Sequence, residues 1–138
     1  VPYISLTYLK KGHEDPRYEI VDKAIAIWKS ETNAPLRYVA GSDPYNFVLG
    51  FRSQDNTSEF RGFNFKWAPW ITREGIKKDG MLVVCAETDR GCMLGARDFF
   101  SDDTKVIPST AHREVWDFKG PTRRFEIIVI PPHIQKSP

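Results

Sequence analysis

Three histidines stand where proton transfer or metal binding could be arranged: His13 beside Glu14, His112 two residues before Glu114, and His133. In "STAHREVWDF" (residues 109–118) an extended chain sends His112, Glu114 and Trp116 to one face and Arg113 and Val115 to the other. A His-x-Glu pair on a strand can hold a metal, or join a base to the carboxylate that orients it. Set with His13 and with Arg123 at the start of the last apolar run, this pair has the residue types for RNA cleavage. A base would take the 2′-hydroxyl proton, an acid would protonate the leaving oxygen, and arginine would stabilise the phosphorane. The plainer reading is a surface strand whose polar face meets water and whose Trp116 caps the core. Spacing favours that one.

A second group of residues suits recognition. Four tryptophans, five tyrosines and nine phenylalanines make the chain 13% aromatic, and "FNFKWAPW" (63–70) is the densest run. Two tryptophans around Ala-Pro do not both fit one strand, so Trp67 or Trp70, near Arg73, is a candidate binding hot spot for a protein, a sugar or a membrane surface. Core packing competes for the same rings. Cys85 and Cys92 are the two cysteines, and a hairpin turn within "CAETDRGC" would set them opposite each other for a disulfide.

Composition bounds the rest. The chain has 138 residues, 41% hydrophobic and 28% charged, which fits one folded domain and argues against disorder. No apolar run reaches the roughly 20 residues that span a bilayer. A net charge of +2 and scattered basic pairs do not by themselves imply a polyanion partner. A start at Val1, as after loss of a leader or of a propeptide or as a start inside a longer gene, and a cysteine pair suited to an oxidising compartment together tilt towards secretion.

The elements that must position these residues follow from punctuation and period. Tyr3–Leu9 reads as a strand. Asp15 as N-cap and Pro16 as first helical residue open a helix over 15–32, with Val21, Ala24, Ile25 and Trp28 on its inner stripe. Leu36–Val39 and Tyr45–Phe51 read as strands, and Phe63, Phe65 and Trp67 alternate like a half-buried strand. "MLVVCAE" and "CMLGA" read as a hairpin; "TKVI", "REVWDF" and "RRFEIIVI" supply later strands. The expected fold is α+β: one long N-terminal helix packed on a mostly antiparallel sheet of about seven or eight strands.

The stretches "VPYISLTY", "IVDKAIAIWKSETNAPLRYV" and "YNFVLGF" together resemble the start of astacin-like and other metzincin zinc peptidases. The resemblance covers residues 1–63 and implies a strand, a long helix and two further strands. The family's HExxHxxGxxH helix has no counterpart here: in "HREVW", Trp116 stands where the second histidine would be. No zinc ligand carries over, and no Walker, dinucleotide or GxSxG motif is present.

The sequence therefore reads as a secreted, non-catalytic binding or effector module with a zincin-like N-terminal part, its target a protein, a glycan or RNA. The competing class is a small secreted hydrolase, a ribonuclease-type toxin or a metal-dependent enzyme using His112, Glu114, His13 and Arg123. No metal or cofactor is expected. Elemental analysis of gently purified protein should find less than stoichiometric zinc; one zinc per chain would promote His112 and Glu114 to ligands.

Overall fold

The computed structural model describes residues 16–43, 45–53, 55–111, 114–115, 118–119 and 123–133. Pro16, its φ preset for a helix, opens α1 (Pro16–Glu31), as the sequence implies. Ile20, Val21, Ala24 and Trp28 line its buried stripe, and the Trp28 indole N–H donates to the Ala34 carbonyl at 3.0 Å. Then follow β1 (Tyr38–Gly41), α2 (Tyr45–Arg52), β2 (Ser58–Glu59), a 3₁₀ turn at Arg61–Phe63 and α3 (Arg73–Asp79). β3 (Met81–Ala86), α4 (Arg90–Arg97), β4 (Lys105–Ala111), β5 (Glu114–Val115), β6 (Phe118–Lys119) and β7 (Arg123–Ile130) complete the order.

The expected architecture is corrected. Among the described residues the main sheet has five strands in the order β2-β1-β3-β7-β4, not seven or eight, with β5 and β6 forming a separate two-stranded ladder. It is mixed rather than mostly antiparallel: β2, β1 and β3 run parallel, while β7 is antiparallel to β3 and β4. Nor does one long helix dominate. The first has 16 residues, and three more α-helices are present among the described residues.

Two misread segments account for most of the difference. Tyr45–Phe51 forms α2, not a strand. Strand alternation would bury Phe47 and Phe51 with Tyr45 and Leu49, but Tyr45, Asn46 and Leu49 are buried while Phe47 and Phe51 are 47% and 87% exposed, the spacing of a helix. The "CMLGA" half of the expected hairpin is α4, capped by Asp89, whose carboxylate accepts from the Cys92 N–H at 3.1 Å. The disulfide between Cys85 and Cys92 is present, but it joins the end of β3 to the first turn of α4, with Cα atoms 5.6 Å apart. Its short ring stabilises by about 2–3 kcal/mol on the chain-entropy model.

Strands β3 and β7 are apolar on both faces, so both faces must be covered. Leu82, Val84, Phe125, Ile127 and Val129 meet α1 and α2 on one side. On the other side Met81, Val83, Cys85, Ile128 and Ile130 meet Ile76 of α3, Cys92 and Ala96 of α4, and Phe60. Gly80 enters β3 at φ +78°, where a side-chain carbon would sit 2.5 Å from the Ile130 carbonyl and 2.9 Å from the Trp28 ring. At the far edge, among the described residues β4 pairs only with β7, and it carries Pro108 in its middle, opposite Glu126. Truncating the filled, hydrogen-bonded Trp28 site to Trp28→Ala should lower unfolding free energy by about 3–5 kcal/mol in urea titration.

Candidate functional site

The sequence-derived catalytic set is not assembled by what the structure describes. His13 and His112 lie outside the described residues. Glu114 opens β5, and Arg123 opens β7 in register with Ala111. Among the described residues no group of three or more His, Cys, Asp or Glu side chains is placed to hold a metal ion.

In open sheets of this kind ligands favour the C-terminal ends of parallel strands where successive connections leave to opposite faces. Here that point lies between β1, whose chain turns to α2, and β3, whose chain turns to α4. The protein fills it with its own groups. The Ser42 hydroxyl donates to Asp89 at 2.7 Å and accepts from the Ala86 N–H at 3.0 Å, while the Ser42 N–H donates to the Val84 carbonyl at 2.9 Å. Asp89 uses its other oxygen to cap α4. This junction is a pin.

One strand further out the groups change character. The Asn46 amide, buried on α2, donates from Nδ2 to Glu59 Oε1 at 2.8 Å, fixing a carboxylate at the end of edge strand β2. Burial pushes the Glu59 carboxyl above its usual range, and the charge of Asp43 adds to the shift; Arg61 and the Asn46 bond oppose it. Asn46 Oδ1 is buried without a partner among the described residues, so its amide is committed to holding Glu59 at some cost.

Arg61, two residues beyond Glu59, lies 5.5 Å from the Phe47 ring centre on α2 and 5.3 Å from that of Trp67. Those rings belong to opposite layers, so Arg61 wraps the β2 edge and ties the two faces together. Phe47 and Phe51 stand one helical turn apart on α2, and Trp67 and Trp70 are 61% and 63% exposed. An exposed aromatic band results, interrupted by a guanidinium.

The expected strand at 63–67 is instead a run of turns that presents this band. Gly62 and Phe63 take left-handed backbone at φ +63° and +54°. For phenylalanine that conformation costs about 1–2 kcal/mol. The Phe63 ring is turned inward against Phe60 and Phe99, at centroid distances of 5.9 and 6.2 Å. Phe65 joins the same group at 4.9 Å from Phe60. With both rings taken inward, Trp67 is left outside. Arg73 is not beside the tryptophans; it stacks over Phe65 and Phe99, 5.4 and 5.0 Å from their centres.

The sequence offers Trp67 or Trp70 as an exposed ring, with core packing competing; the structure exposes both, and the reading missed Arg61, Phe47 and Phe51. The four-residue spacing of the two phenylalanines is the signal that a helical reading would have used. A shallow groove of about 560 Å³ between α1 and α2 is lined partly by Phe51, and two of its charges are paired with each other, Arg52 donating to both Asp22 oxygens at 2.9 and 2.6 Å. No family model, curated protein or solved structure matches the chain.

Because ionised Glu59 is disfavoured in the fold, the native state binds more protons than the unfolded chain as pH rises past the ordinary carboxylate range, and stability falls. Glu59→Gln keeps an acceptor for Asn46 without the charge. Its stability relative to wild type should improve between acid and neutral pH, read by denaturant midpoints; a pH-independent difference would contradict this account.

Proposed function

We propose that the chain is an extracytoplasmic, non-catalytic binding module that engages a protein partner through the aromatic edge of its sheet. The observation that carries this reading is Arg61 packed between Phe47 and Trp67, with a second exposed tryptophan, Trp70, three residues along the chain. Tryptophan and arginine dominate the energetics of protein interfaces, and large exposed apolar patches mark such surfaces. A sugar stacks on a bare ring face, and Arg61 already covers one face of each of its rings. An RNA strand needs a basic track, whereas Glu59 and Asp43 adjoin Arg61 and the whole chain carries only +2. The Cys85–Cys92 disulfide supports placement in an oxidising compartment.

Protein fractions from the extracytoplasmic space can be passed over immobilised wild type and over Trp67→Ala, and proteins retained only by wild type purified and titrated singly. At least one should bind with a Kd that rises about tenfold or more on Trp67→Ala and on Arg61→Ala. Both variants should melt within a few degrees of wild type. Retention unaffected by either change would overturn the proposal, as would Trp67-dependent binding to a glycan array or to anionic vesicles in place of a protein.

A further inference from the structure

A second site lies on the α3 and α4 side of the sheet, apart from the aromatic edge. A cavity of about 240 Å³ opens between α3, the turn after α4 and the end of β7. Its apolar walls are Ile76, Ile130, Pro131, Phe99 and Phe100, of which Ile76 and Ile130 are almost fully buried. Its polar groups are Arg73, Lys77, Asp98, Ser101 and His133.

Two features make this a built site. Arg73 is held by stacking over Phe65 and Phe99, which orients the guanidinium while leaving its N–H edge without a hydrogen bond or ion pair among the described residues. His133 is held by its backbone, whose N–H donates to the Lys77 carbonyl at 2.9 Å, so the chain leaving β7 is fastened to α3 at the cavity. Lys77 and Arg73 stand one turn apart on α3 and so share a face. Against these two cations stands one carboxylate, Asp98, giving a net positive lining.

We infer that this cavity binds a small organic anion: an apolar body about the size of one ring, seated on Ile130 and Phe99, with a carboxylate or phosphate directed at Arg73 and Lys77. A volume below the roughly 300–1,000 Å³ of drug-sized pockets limits the body to about that size. The planar arginine fork suits two anionic oxygens, and Lys77 adds a point charge beside them. The Ser101 hydroxyl can donate to the same group.

Phenyl phosphate, benzoate and uncharged benzyl alcohol provide the test, each titrated into the full chain at fixed pH and ionic strength while the His133 and Phe99 ring signals are followed by NMR. Both anions should shift these signals saturably, at roughly millimolar affinity or tighter, and the alcohol at least tenfold more weakly. Lys77→Gln should weaken anion binding about fivefold, and Lys78→Gln, next along α3 and outside the cavity, less than twofold. Absence of saturable shifts, equal binding of the alcohol, or an equal loss with Lys78→Gln would each overturn the assignment.

Discussion

Everything in this fold follows from the pairing of β3 with β7. Met81–Cys85 are buried without exception, and so are Phe125 and Ile127–Ile130 opposite them, leaving a central ribbon with no face fit for water. Such a ribbon requires two covering layers. One is supplied by α1 and α2; the other is assembled from short helices and a cluster of phenylalanines. The second layer is irregular because its segments are brief and glycine-punctuated, and that irregularity lets Trp67 and Trp70 stand free of the core. The contacts of Arg61 with Phe47 and Trp67 lie where both layers run out, at β2.

The same constraint explains what could be read from the residues. β7 was legible because a strand buried on both faces is a continuous apolar run. α1 was legible because Pro16 marks its start and its inner residues recur at helical spacing from Val21 to Trp28. The two short helices were not. In seven or eight residues, periods of 2 and 3.6 coincide too often to separate, and "YNFVLGF" satisfies both until the sheet decides which rings are covered. The cysteine pair could be identified, yet its geometry could not, since a hairpin and a strand-to-helix turn both bring residues seven apart within bonding reach.

At the candidate sites, exposure of one of Trp67 and Trp70 was legible from the proline that breaks their segment. The contact of Arg61 with Phe47 and Trp67 was not, because it runs around a sheet edge between layers that the sequence never places side by side. Asn46 shows the same limit. An asparagine within an apolar stretch looks like a blemish until Glu59 arrives from a neighbouring strand to accept its amide proton. Arg73 was chosen as a partner for the tryptophans and turned out to serve the phenylalanines instead.

Pro108 bears on a different property. β4 is an outer strand of seven residues, long enough that its unpaired backbone could template a neighbouring chain. A proline at its midpoint removes a donor from the ladder and prevents a continuous run of backbone bonds with any incoming strand. The other outer strand, β2, is only two residues long and offers almost no ladder to copy. Among the described residues both borders of the sheet are thus poor seeds for fibrils, so the exposed aromatic rings do not lie next to a backbone ladder ready to propagate a cross-β stack.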